Sequence, residues 1–123
     1  MKIFVLDNYD SFTYNLVEAV RIITGQSITV KRNDKFDPDE IENYDKIILS
    51  PGPGIPEEAG QMNEIIERYK ATKSILGICL GMQGIGEVCG AKLRNLPEVY
   101  HGISTPVKIT DRDEIIFKGM GEV

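Results

Sequence analysis

Cys79 stands in Gly77-Ile78-Cys79-Leu80-Gly81, after the apolar run Ser74-Ile75-Leu76 and before Ile85, Val88 and Cys89 at helical spacing. A strand that turns abruptly into a helix at such a residue has the form of a nucleophile elbow, a strained turn that lifts a reactive side chain above a parallel sheet. Gly77 and Gly81 permit the tight turn and the close approach of strand to helix, neither of which a merely buried cysteine requires. A thiol at a helix N-terminus also has its thiolate favoured by the helix dipole and the free N–H groups of the first turn. The chemistry expected at Cys79 is therefore nucleophilic attack. The competing reading is a small apolar core residue, the usual fate of an isolated cysteine.

Ser50-Pro51-Gly52-Pro53-Gly54-Ile55-Pro56 is the second candidate. No Gly-Lys-Ser/Thr follows it, so it is not a phosphate loop. Pro51, Pro53 and Pro56 fix φ, while Gly52 and Gly54 allow geometries that aim a backbone N–H at a ligand. Such an N–H, with that of Leu80, would make an oxyanion hole beside Cys79; the alternative is a rigid loop without chemistry. The third candidate, residues 7–15, is dense in polar and aromatic groups: capping and turn formation explain Asp10 and Ser11, and the rest points only to binding or docking. The single histidine, His101, has no neighbouring acid to orient it and is expected to be an ordinary loop residue. Cys89 is expected in the core.

Positioning these groups calls for alternating strands and helices, hence βαβ units and a parallel sheet. Strands are predicted at 2–6, 27–31, 46–49 and 74–78. The run at 46–49 is apolar enough for burial on both faces. A helix is predicted from Phe12, Leu16, Ala19, Val20 and Ile23, capped by Asp10 or Ser11 and closed at Gly25. Pro38 suits the first turn of a short helix. Met62, Ile65, Ile66 and Tyr69 mark another helix, with Glu64 and Arg68 as a supporting pair. Residues 107–110 and 114–117 are predicted to form a hairpin turning at 111–113. In open α/β sheets ligands bind at the carboxyl ends of the strands, where residues 7–11, 50–54 and Cys79 all fall.

The chain of 123 residues has the length of one domain with a real core. A net charge of −5, with Lys and Arg scattered among Asp and Glu, argues against nucleic acid or an anionic membrane surface as partner. Two cysteines at a spacing that fits no zinc pattern are expected as free thiols in a reducing cytoplasm. No metal and no cofactor are expected.

Residues Leu6-Asp7-Asn8-Tyr9-Asp10-Ser11-Phe12-Thr13-Tyr14-Asn15-Leu16, then 50–54, then Gly77-Ile78-Cys79-Leu80-Gly81-Met82-Gln83 resemble class I glutamine amidotransferases. The opening motif narrows the resemblance to the glutaminase component of anthranilate synthase or of aminodeoxychorismate (para-aminobenzoate) synthase. The resemblance implies a flavodoxin-like, three-layer α/β domain with a mostly parallel sheet, of which residues 1–123 form the N-terminal portion. It implies that glutamine is hydrolysed and ammonia passed to a chorismate-using synthase subunit. Cys79 matches the nucleophile, Gly54 and Leu80 the oxyanion-hole amides, and Gly52, Pro53, Gly54 and Gln83 the glutamine-binding positions. Family members continue with a Tyr-His-Ser-Leu-like stretch and a later catalytic His and Glu, none of which matches residues 1–123. His101 falls instead in a non-catalytic Val-x-His-Gly motif, where Ile103 replaces a usual lysine. The 123 residues alone are accordingly expected to be a poor glutaminase. The alternative is a shortened, inactive relative that acts as an interaction module. An unrelated cysteine-elbow hydrolase is disfavoured by the Pro-Gly-Pro-Gly loop and the opening motif.

Overall fold

Four short apolar runs become the strands β1 (Ile3–Asp7), β2 (Ile28–Arg32), β3 (Lys46–Leu49) and β4 (Ser74–Gly77) of a computed structural model that describes residues 1–98, 102–111 and 113–120. All three pairings are parallel, and the strand order is β2-β1-β3-β4. Ile3 lies level with Ile28 on one side and Lys46 on the other, and Lys46 with Ser74, so the carboxyl ends of the strands finish side by side. This is the flavodoxin-like order, in which the chain's winding reverses between β1 and β3.

Side chains alternate across a strand, and here both faces are covered. Phe4, Leu6, Ile47 and Leu49 join Met62, Ile65, Ile66, Tyr69 and Leu80 in one core, under the helices α2 (Met62–Tyr69) and α3 (Leu80–Val88). Ile3, Val5 and Ile48 pack on the other face with Leu16, Val17 and Val20 of α1 (Thr13–Thr24). Three layers result. Each fully buried Leu, Ile or Phe contributes roughly 1.5–3 kcal/mol of transfer free energy. Among the described residues no helix is long and apolar enough to cross a membrane.

The predicted strands shift by no more than one residue at an end, and the 46–49 run is buried from Ile47 to Leu49. The four positions predicted to seat α2 are buried. Gly25 closes α1 at φ 65°, its N–H donating to the Arg21 carbonyl. Pro38 opens a 3-10 turn, Pro38–Asn43, in which the Asp37 carboxylate accepts from the Asp39 N–H at 3.0 Å.

Other expectations fail. The inward stripe of α1 is Thr13, Leu16, Val17 and Val20, whereas Phe12 is 60% and Ile23 82% exposed. A rotation of part of a turn exchanges these stripes, and apolar spacing alone does not fix it. The α1 cap is indirect: Phe12 occupies the cap position, and Asp10 instead accepts the Phe12 N–H at 2.9 Å in the preceding turn. Arg68 pairs with Asp39 at 2.5 Å rather than with Glu64. Cys89 ends α3 and is exposed, not core.

Residues Met1–Leu93 and Arg94–Val123 form two separate compact units. In the second unit the predicted hairpin is absent among the described residues, which instead include a single 3-10 turn, Ile115–Phe117. Apolar runs without a sheet edge to join gain nothing from strand geometry. His101 and Arg112, in the middle of the predicted turn, lie outside the described residues.

Candidate active site

β4 ends at Gly77 and α3 begins at Leu80, so the chain must turn within two residues. Cys79 occupies the corner at φ 52°, ψ −109°; Tyr9 is the other non-glycine residue at positive φ among those described. Such a conformation costs about 1–3 kcal/mol and persists only where its surroundings impose it. Ile78 N–H donates to the Leu49 carbonyl at 3.0 Å, Gly81 N–H to the Ile78 carbonyl at 3.1 Å and Gln83 N–H to the Cys79 carbonyl at 3.0 Å. A Cβ on Gly77 would lie 2.5 Å from the Gly81 carbonyl carbon, and one on Gly81 would lie 2.5 Å from the Leu49 carbonyl oxygen. Only glycine lets α3 lie this close to β3 and β4. Cys79 itself is exposed, and the Leu80 N–H belongs to the first helical turn, whose amides have no intrahelical acceptor.

The proline–glycine arch leaves β3 beside this corner. Gly52 fits between the β1 loop and α3: a Cβ there would stand 2.5 Å from Asn8 Cβ and 3.0 Å from Leu80 Cδ2. Gly54 takes φ 76°, with the Glu58 carboxylate beside it, 3.0 Å from where a Cβ would be. Buried Pro56 then starts a 3-10 turn, Pro56–Glu58. Pro53 and Leu80 border one open cavity of about 300 Å³, together with Asn8, Tyr9, Asn33 and Glu58. The structure thus brings Gly52, Pro53 and Leu80 together next to Cys79. Gly54 lies at the exposed end of the arch, and Gln83 is half-buried one turn along α3, tied to Cys79 through its backbone.

Sequence reasoning missed the group that joins these loops. Asn8 is 2% exposed. Its backbone N–H donates to Ser50 Oγ at 2.9 Å and its Nδ2 to the Ser50 carbonyl at 2.8 Å. Its Oδ1 accepts from Asn33 Nδ2 at 3.0 Å, and Nδ2 also lies 3.3 Å from Met62 Sδ. The ends of β1, β2 and β3 are thereby bonded to one side chain at the winding reversal. The available signal was an asparagine directly after a strand, equally compatible with a turn. Asp7 is similarly occupied, accepting from Thr13 Oγ1 at 2.8 Å and from the Asp10 N–H at 3.2 Å.

Tyr9, at φ 61°, donates from its hydroxyl to Asp34 Oδ1 at 2.5 Å, while the Arg32 guanidinium lies 4.7 Å from the ring centroid. The Asp34 carboxylate, which binds the protonated phenol, holds the Tyr9 pKa above its ordinary value.

An elbow cysteine, a rigid arch and a parallel sheet define a class of protein, and comparison agrees. Residues 4–123 match the family Glutamine amidotransferase class-I, and the chain belongs to that family. Among individual relatives, the anthranilate synthase component 2 of Lactococcus lactis is 47% identical over 108 residues, covering 88% of this chain and 54% of the relative. That of Thermus thermophilus is 44% identical over 109 residues, covering 87% and 53%. That of Helicobacter pylori is 39% identical over 129 residues, covering 99% and 64%. The chain spans about half the length of the first two of these relatives. The crystal structure of a GMP synthase subunit from Thermoplasma acidophilum superposes with a TM-score of 0.62 at 30% identity, covering 75% of this chain and 46% of that one.

Proposed function

We propose that this chain carries the nucleophilic half of a glutaminase of the anthranilate synthase component 2 type. Cys79 attacks the side-chain amide carbon of glutamine, forming a C–S bond and a tetrahedral oxyanion. The N–H groups of Gly54 and Leu80 hold that oxygen, each donor typically worth about 3 kcal/mol in the transition state. Collapse breaks the C–N bond, and ammonia leaves with a transferred proton. Water then adds to the thioester through a second oxyanion, and C–S cleavage gives glutamate and the free thiol. Gly52, Pro53 and Gln83 line the glutamine site. The reaction needs neither metal nor cofactor.

The observation that carries this reading is Cys79 at φ 52° in a turn braced by Gly77 and Gly81, with Leu80 packed on Gly52 of the arch. A thiol with only a packing role has no use for that conformation. The proton transfers are assigned by family resemblance to a histidine and a glutamate with no counterpart in residues 1–123, so turnover by these residues alone is low. General acid–base catalysis of this kind contributes roughly 10²–10⁴ in rate. The ammonia acceptor is a chorismate-using synthase subunit. The names of the relatives favour anthranilate over para-aminobenzoate, placing the reaction in tryptophan rather than folate synthesis, in the cytoplasm.

The decisive experiment treats the chain with a chloroketone analogue of glutamine, then locates the adduct by mass spectrometry. The thiolate displaces chloride and forms a thioether, a step that needs no general acid. Labelling is expected on Cys79, protected by glutamine and abolished in Cys79→Ser. An adduct on Cys89 alone, or no glutamine protection, overturns the reading. Glutamate release, measured with and without a synthase subunit, separately tests the assignment of the base: rapid release by the chain alone would refute it.

A further inference from the structure

Asn8 is more heavily committed than a turn residue needs to be. An amide buried without partners costs several kcal/mol, yet here both ends of the side chain and its backbone N–H are bonded, to Ser50, Asn33 and Met62. The bonds reach across the sheet rather than along the local turn, Ser50 being 42 residues away and Asn33 25. Ser50 is also the residue from which the arch springs. Its hydroxyl accepts the Asn8 N–H and donates to the Pro51 carbonyl at 2.7 Å, fixing the first peptide of the arch. Gly52 then lies directly on Asn8, close enough that a Cβ would stand 2.5 Å from Asn8 Cβ and 2.6 Å from the Asn8 carbonyl oxygen.

The elbow is held differently. Its hydrogen bonds run from Ile78 to Leu49 and from Gly81 to Ile78, and Gly81 packs on Leu49. None of these contacts involves Asn8. The two halves of the site thus have separate supports, β3 and β4 for the thiol and Asn8 for the arch.

We infer that Asn8 is the positioning residue that sets the Gly52–Gly54 backbone against the Cys79 elbow, acting through Ser50 and Gly52 and touching no reacting atom. The inference rests on the glutaminase reading, in which the arch supplies an oxyanion donor. Loss of Asn8 then removes the arch's hold on the substrate carbonyl and leaves the thiol as reactive as before. A displacement of about 1 Å in such a donor can cost on the order of 10²-fold in rate.

The test compares two reagents on the chain in a Cys89→Ser background, where Cys79 is the one remaining thiol. The chloroketone analogue of glutamine requires the arch to hold its carbonyl; iodoacetamide requires only the thiol. In Asn8→Ala the analogue is expected to label at least about 10-fold more slowly, with iodoacetamide alkylation at the parent rate and a cooperative thermal transition retained. Ser50→Ala, which deletes only a hydroxyl, is expected to shift the same ratio in the same direction, and it carries the comparison if Asn8→Ala does not fold. Equal slowing of both reagents makes Asn8 a general structural residue and overturns the inference. Parent-like labelling by the analogue in both variants overturns it as well. If the parent chain shows no glutamine-protected labelling, the glutaminase reading itself fails, a result distinct from the other two.

Discussion

At Cys79 the backbone adopts φ 52°, ψ −109°, a conformation that glycine accepts freely and an L-residue does not. The strain of about 1–3 kcal/mol exceeds the roughly 0.5–1 kcal/mol by which glycine is disfavoured through unfolded-chain entropy. Cys79→Gly is therefore expected to stabilise the chain by about 1 kcal/mol while deleting the thiol, a trade common at active sites. Urea unfolding checks this, with Cys79→Ser as the control that keeps the strain; equal midpoints for the two variants would refute it. The elbow cysteine was legible in the sequence because its two glycines announce the turn. Asn8 was not, because an asparagine after a strand has the same local signature whether it caps a turn or bonds two other strands.

Among the elements, α3 is the one whose position leaves least room. It begins one residue after the nucleophile and rests on β3 through Gly81, where a Cβ would stand 2.5 Å from the Leu49 carbonyl oxygen and 2.6 Å from Leu49 Cβ. Both obstacles are fixed parts of a buried strand, so they cannot swing aside. Gly81→Ala is expected to cost about 1–3 kcal/mol and to reduce labelling of Cys79 by both the glutamine analogue and iodoacetamide, because it moves the elbow itself. Denaturant midpoints and labelling rates read the two effects; unchanged values would show that α3 can shift without cost. Element types were readable from periodicity, as at Met62, Ile65, Ile66 and Tyr69, all buried. The facing of α1 was not, since Phe12 and Ile23 share apolar spacing with Leu16 and Val20 but stay exposed. Which stripe turns inward depends on where Thr13, bonded to Asp7 at 2.8 Å, anchors the helix start.

For the molecule as a whole, acid stability follows from carboxylates engaged across elements. Asp45 accepts the Lys2 backbone N–H at 2.7 Å, and that bond holds its pKa below the ordinary carboxylate value. Glu40 is lowered likewise by the Lys31 ammonium, 2.6 Å away. A folded pKa below the unfolded one gives stability that is present above the unfolded value, about pH 4, and lost as pH falls through the folded value. Unfolding free energy is expected to fall below about pH 4 and to fall less steeply in an Asp45→Asn, Glu40→Gln variant, as read by urea titrations across that range. A parallel decline in both proteins would exclude these two groups. By itself the sequence determined the succession of strands and helices, the glycine-framed thiol and the stiff arch, because periodicity, β-branching and backbone freedom are local properties. Only the tertiary structure decided that Arg68 meets Asp39, that Cys89 is exposed, and that Asn8, Asn33 and Ser50 meet. Those outcomes depend on the strand order β2-β1-β3-β4 and on parallel register, which set residues far apart in the chain side by side and which no local pattern encodes.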